Sequence, residues 1–272
     1  QGDSAQLATL LTPEQYRRLQ KRVDIDFVAT NPVTFDPNDN VSLELEIKNV
    51  DTLIVKIFEL NTLNYYRDQV RELNTDVNLD GLVPNFERTL TYREPPQRKV
   101  LRRFEFPELK GRGAWVIDFI GNGKSSRVLV RKGRLRHLVR TGTAGHVFTV
   151  LDESANAVPD ATIWLGGQLY SADKAGSIHI PFTTSPAAQP LILVHNGFAS
   201  FDRFSHESEN YTFAAGILVD RESLLGRRKA RVVIRPSLSV NGTPVSVSML
   251  DNVRLRITST NRSALDCEPC GS

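Results

Sequence analysis

The sequence predicts a mainly β chain, tandem antiparallel β-sandwiches with an N-terminal helix. Three observations predict it. Val41-Ser42-Leu43-Glu44-Leu45-Glu46-Ile47 alternates strictly, which places Val, Leu, Leu and Ile on one strand face and Ser, Glu and Glu on the other. Short apolar runs punctuated by turn residues recur at the spacing of one sandwich of about 110 residues and another of about 80–90. Between two such runs stands Asn122-Gly123, the strongest short-range hairpin signal, because both residues tolerate the positive φ of a tight turn.

The elements follow in order. Residues 5–23 read as a helix, with Thr12 as N-cap, Pro13 at the first position and Glu14 in an acidic first turn. Leu7, Leu10, Leu11, Tyr16, Leu19 and Val23 would form its apolar face. Strands are expected at 41–47 and 53–60, then a helix-like run at 61–74, then strands at 100–106, 113–120, 126–131 and 135–140. Thr141-Gly142-Thr143-Ala144-Gly145 reads as a boundary. A new strand series runs through 146–151, 161–165, 177–180, 191–194, 198–204 and 211–219. Runs at 231–234, 245–250 and 253–258 either complete the second domain or begin a third. The expected division is a helical segment at 1–23, sandwiches at 24–140 and 141–229, and further strands at 230–272.

Hydrophobic content of 40% and charge of 24% are ordinary for a soluble globular protein. No run approaches the roughly 18 apolar residues of a membrane helix, so no membrane insertion is expected. A balance of 34 basic against 31 acidic residues gives no general argument for nucleic acid as a partner. The chain lacks an initiator methionine, and Gln1-Gly2 reads as a tag remnant, so a piece of a longer protein is expected. Neighbouring domains of the parent chain are then its first partners, with other proteins or a polyanion beyond them.

Gly123-Lys124-Ser125 ends like a phosphate-binding loop, but that motif needs glycine five residues before Gly123, where this chain has Asp118. A carboxylate there repels phosphate, and strand-like runs flank the stretch on both sides, so it reads as a turn. A basic stretch follows. A hairpin turning at Arg131-Lys132-Gly133-Arg134 would carry a basic tip, with Arg131, Lys132, Arg134 and Arg136 as candidates for binding a polyanion. The alternative is a solvated, charged strand edge that discourages aggregation.

Asp76-Val77-Asn78-Leu79-Asp80-Gly81 followed by five residues and Glu87 matches the calcium-loop pattern. Asp76, Asn78, Asp80 and Glu87 would supply side-chain oxygens, the Leu82 carbonyl another, and Gly81 the sharp turn. Pro84 is unusual inside such a loop, and residues 88–92 read as a strand rather than an exiting helix. Calcium and a plain polar turn both stand as readings. Cys267-Glu268-Pro269-Cys270 lacks the partners of a zinc site and the helix of a redox dithiol, and fits a local disulfide or two thiols.

Catalysis has no motif behind it. The five histidines show no His-Glu-x-x-His spacing and no Gly-x-Ser-x-Gly elbow is present, so the chain is expected not to be an enzyme.

In the second half, Val158, Ala161, Ile163, Asp173, Gly176, Ile178, Ile180 and Pro181 fall in a strand, turn, strand pattern. This resembles prealbumin-like and bacterial Ig-like modules. Residues 41–61 and 112–135 resemble macroglobulin-like domains of the alpha-2-macroglobulin family and its large surface relatives. The Cys-Gly-Glu-Gln thioester of that family is absent, so thioester trapping is not implied. The resemblance implies a non-enzymatic structural and binding tandem from a larger secreted or surface protein, extracytoplasmic in location. Sequons at Asn40, Asn210, Asn241 and Asn261 are compatible with that. The alternative is an accessory, non-catalytic domain pair of a multidomain hydrolase.

Overall fold

The computed structural model, which describes residues 10–220, 222 and 229–256, places helix α1 at Pro13–Lys21. Thr12 and Gln15 close it reciprocally: the Gln15 N–H donates to Thr12 Oγ1 at 3.2 Å and the Thr12 N–H to Gln15 Oε1 at 3.0 Å. This is a capping box, and it satisfies two backbone donors left over at the helix start. At the other end, Lys48 Nζ donates to the carbonyls of Leu19 and Arg22, where a cation also complements the helix dipole. The part of the expected helix at 5–9 lies outside the described residues.

Two sheets make the first sandwich. β1 (Asp24–Phe27), β3 (Val41–Lys48) and β6 (Lys99–Phe106) form one, in the order β1-β3-β6. β2 (Thr34–Phe35), β4 (Thr52–Leu60), β5 (Phe86–Thr91), β7 (Gly113–Gly121) and β8 (Lys124–Lys132) form the other, in the order β2-β8-β7-β4-β5. The inner faces carry the expected alternation: Leu43, Leu45, Val55, Ile57, Ile117 and Phe119 are buried in one core. Phe27, Phe104 and Phe106 stand edge-on around Phe119, with centroids 5.5, 5.2 and 6.3 Å away. Each such ring or branched chain stabilises by about 1.5–3 kcal/mol when fully buried.

The β7–β8 hairpin settles the Gly-Lys-Ser stretch. Asn122 and Gly123 take φ of 45° and 76° and close a two-residue turn between Gly121 and Lys124. Asp118 and Arg127 lie directly opposite one another, and the carboxylate accepts Arg127 Nε at 2.6 Å and Nη2 at 3.0 Å. The helix-like run is α2 (Thr62–Gln69), capped by Asn61 Oδ1, which accepts from the Asn64 N–H at 2.9 Å.

The expected hairpin at 131–134 does not form. β8 pairs with β7, whereas β9 (Arg136–Gly142) pairs with β10 (Gly145–Leu151) in a different sheet. Thr143 and Ala144 form the turn of that β9–β10 hairpin, with Gly142 paired to Gly145 across it, since glycine-rich composition suits a tight turn as well as a linker. β13 (Ile178–Ile180) completes the order β13-β10-β9. β11 (Thr162–Leu165), β12 (Gln168–Ser171), β14 (Ala187–His195) and β15 (Phe198–His206) form the opposing sheet, in the order β12-β11-β14-β15. Phe148, Ile163, Ile178, Leu191, Leu193 and Phe204 fill the space between them.

These two sandwiches fall within one compact unit, Gln1–Ser208; the other unit is Glu209–Ser272. In the latter, β16 (Tyr211–Val219), β17 (Val232–Val240) and β18 (Thr243–Val245) form one antiparallel sheet. The strand expected at 245–250 stops at Val245 because Ser246 caps a 3₁₀ turn at Val247–Met249. No strand forms at 253–256, where no partner strand is available among the described residues. Residues 257 and 258, Cys267, Cys270 and Asn261 lie outside the described residues.

The outer faces of both sandwiches carry a third apolar cluster. In β7, Trp115, Ile117 and Phe119 face the first core, while Ala114 and Val116 face away from it. In β14, Leu191 and Leu193 face the second core, while Ile192 faces away. These turned-out residues meet in one cluster with Phe58, Tyr66, Leu73, Val77, Leu79, Leu129 and Ala199. A strand covered on both faces reads as a continuous apolar run, which is what Ala114–Ile117 and Leu191–Val194 show.

Polar contacts cross the same junction. Arg112 donates to both Glu153 oxygens, at 2.9 and 2.8 Å, and its Nη1 lies 3.0 Å from His195 Nδ1. Burial disfavours the charge on Glu153, but Arg112 and backbone N–H groups outweigh it and hold the carboxyl below its ordinary range. Thr62 Oγ1 accepts from the Ala199 N–H and Ser200 Oγ from the Leu135 N–H, both at 2.9 Å.

Two outcomes follow from this packing. Ile192→Ala, at a site with 0% exposure, is expected to lower unfolding stability in urea by about 2–5 kcal/mol. Leu169→Ala, at an exposed site, should change it by less than about 0.5 kcal/mol. The second concerns His146, which is 2% exposed and packed against Phe182, Phe204 and His206. Burial, then the neighbouring His206, lowers its pKa, and burial lowers that of His137 against the pull of Asp202. The unfolded chain therefore binds protons more readily than the folded one. Stability is complete above the unfolded value of about 6.5 and is lost as pH falls below it. The melting temperature should fall between pH 7.5 and 5.5, and His146→Phe should flatten that profile.

Candidate protein-binding surface

The loop between α2 and β5 carries the calcium-like pattern. Leu73, Val77 and Leu79 are buried in the junction cluster, which turns Asp76, Asn78 and Asp80 outward. The Asp76 carboxylate accepts Arg71 Nη1 at 3.1 Å and Nη2 at 3.4 Å. Asn78 Oδ1 accepts from the Asp80 N–H at 2.9 Å, and the Leu82 N–H donates to the Leu79 carbonyl at 3.0 Å around Gly81, φ 79°. Glu87 stands apart on β5, opposite Lys56, with an ion pair of 3.7 Å. Among the described residues no three His, Cys, Asp or Glu side chains are grouped to hold a metal.

The four basic candidates divide. Arg131 Nη2 donates to the Leu73 carbonyl and lies 3.2 Å from Glu72. Lys132 is buried, its Nζ donating to the carbonyls of Asp39 at 2.7 Å and Leu109 at 2.8 Å, and burial lowers its pKa. Arg134 and Arg136 are exposed. Lys132 is thus withdrawn from solvent, Arg131 is partly exposed, and Arg134 and Arg136, beyond the crossing at Gly133, are open to it.

A different basic surface lies where β5 and β6 end their sheets. A groove of about 620 Å³ runs between them, lined by Arg88, Leu90, Tyr92 and residues 101–105. Arg88 lies over the Phe106 ring at 4.7 Å and donates to the Glu105 carbonyl at 3.0 Å. Arg102 lies over the Tyr92 ring at 3.7 Å and contacts Glu94. Sequence reasoning missed this surface, although the signal was there: alternation in residues 86–90 puts Arg88 on the face of Phe86 and Leu90, and in residues 100–106 puts Arg102 on the face of Phe104 and Phe106.

Comparison with known proteins adds to this. Residues 53–133 match the model of the AbpF first immunoglobulin-like domain, and residues 220–266 that of the AbpF third immunoglobulin-like domain. Actin-binding protein F of Dictyostelium discoideum is 40% identical over 254 residues, covering 91% of this chain. The chain spans 11% of that protein's length. A solved fragment of alpha-2-macroglobulin from Escherichia coli, spanning domains MG0-NIE-MG1, is 11% identical with a TM-score of 0.43, over 66% of this chain and 63% of that one. A chimeric titin Z1Z2 tandem gives 11% identity and a TM-score of 0.33, over 69% of this chain and 100% of that one. Neither likeness is close enough to bear on function.

The expected extracytoplasmic or surface location is contradicted by the similarity to Actin-binding protein F of Dictyostelium discoideum. The error came from reading location out of a fold resemblance, and sandwich folds occur in many compartments. No helix among the described residues is long and apolar enough to cross a membrane. Residues 53–133, within the first sandwich, and residues 220–266 each match an immunoglobulin-like domain model, so the chain carries immunoglobulin-like β domains.

Proposed function

We propose that this chain is a non-catalytic, protein-binding run of immunoglobulin-like domains and that its partner is actin. The observation that carries the reading is the 40% identity over 254 residues with a protein named for actin binding. Identity at that level along 91% of the chain extends well beyond the buried positions that a shared fold constrains. The structure supports a binding rather than a catalytic role in one specific way. Side chains of the catalytic types are engaged in structural contacts: Asp118 with Arg127, Glu153 with Arg112 and His206 with the Pro181 carbonyl. The continuous junction core supports a rigid pair of sandwiches, and rigid elements present a surface without the entropy cost of ordering it.

Cosedimentation with actin filaments tests the reading. The chain is expected in the pellet, saturably, with half-saturation between about 1 and 100 μM actin. A chain that stays in the supernatant throughout that range overturns the proposal.

A further inference from the structure

Residues 86–106 hold six basic residues against three acidic ones, which accounts for the chain's entire net charge of +3. The fold concentrates that charge. β5 ends the five-stranded sheet and β6 ends the three-stranded sheet, so the groove between them is bounded by two strands that each have one neighbour. Arg88 sits in register with Val55 and Arg102 with Leu45, positions that face inward, toward the core. Their Nε atoms are buried and have no hydrogen-bond partner among the described residues. Arg103 faces outward, with a side chain 62% exposed and its nearest carboxylate, that of Glu105, 3.8 Å away.

Protection of sheet edges explains part of this, since an inward-pointing charge discourages strand addition by a second chain. It does not explain an exposed arginine on the outer face beside two arginines whose Nε atoms lack acceptors. Guanidinium groups in a fixed fork recognise carboxylates, often through two parallel hydrogen bonds. Glu94, on the β5–β6 connection, already places one carboxylate on Arg102. A slot between two strand edges fits a chain in extended conformation.

On the reading that the chain binds actin, we infer that the β5–β6 groove is the contact surface and that it receives an acidic, extended segment exposed on the filament. Carboxylates of that segment engage Arg103 and the solvent-facing N–H edges of the Arg88 and Arg102 guanidinium groups. Leu101, exposed beside them, supplies apolar contact. Charge complementarity selects the occupant, and the groove's length along the strands selects its conformation.

The test is cosedimentation of the full chain with actin filaments for the wild type, Arg103→Glu, the pair Arg88→Gln with Arg102→Gln, and Lys174→Glu as an exposed charge reversal outside the groove. Melting temperatures establish that each variant is folded, and Arg103→Glu, being exposed, keeps the test open if the double variant is destabilised. Filament affinity should fall about tenfold in Arg103→Glu, weaken with added salt and be competed by polyglutamate, while Lys174→Glu binds as wild type. Wild type that pellets together with an unaffected Arg103→Glu removes the groove and leaves actin binding intact. An equal loss in Lys174→Glu also overturns the groove, since it marks diffuse charge attraction. Wild type that does not pellet overturns actin binding itself.

Discussion

Burial of both faces of β7 and β14 is the constraint on which the larger unit depends. Each strand gives one set of side chains to its own sandwich and the other to the shared cluster. Val116 and Ile192 are fully buried although neither touches the core of its own sandwich. Apolar area removed from water is worth about 25 cal/mol per Å² wherever it is removed, so the junction adds to stability on the same terms as each core. Helix α2 and the loop after it close the cluster through Tyr66, Leu73, Val77 and Leu79. The helix interrupts the strand series because the outer face of the sheet needs a cover.

A second regularity is the use of long cations to hold backbone carbonyls. Lys48 holds Leu19 and Arg22, Lys132 holds Asp39 and Leu109, Arg127 holds Thr75 and Val77, and Arg131 holds Leu73. Loops packed against a core bury carbonyls that lack a ladder partner, and each needs a donor. Lys and Arg reach across apolar surface on their methylene stems while the charged head finds oxygen. Burial lowers the pKa of both Lys48 and Lys132, and the carbonyl oxygens around each offset that cost. The loop with the calcium-like spacing is held in this way by Arg127 and Arg131, with Asp76 on Arg71.

The fold supplies a scaffold and leaves function to particular surfaces. Among the described basic residues two groups stand out. Lys48, Arg127, Arg131 and Lys132 tie backbone carbonyls, while Arg88, Arg102 and Arg103, on strands that end their sheets, remain partly open. The second group, at the β5–β6 groove, combines charge, aromatic faces and free strand edges, and it gives the proposed protein-binding role a location. The similarity to Actin-binding protein F motivates the proposed partner, and the groove chemistry the proposed mode.

Much was legible in the sequence because it is encoded locally. The alternation in Val41–Lys48 fixed which side chains face the core, since side chains in a strand repeat every two residues. Asn122-Gly123 fixed a hairpin through its φ values, and Thr12 with Gln15 fixed a helix start through hydrogen bonds three residues apart. Tertiary structure decided which strands neighbour one another beyond that hairpin. It separated β8 from β9, where composition suggested a hairpin: β8 pairs with β7 and β9 with β10, in different sheets. It also decided whether a cation faces water or a carbonyl: Lys132 and Arg134 stand two residues apart, yet one is buried against Asp39 and Leu109 and the other is exposed. A periodic pattern carries its own geometry, but a charge acquires its role from oxygens brought to it by distant chain, and that placement is set by packing.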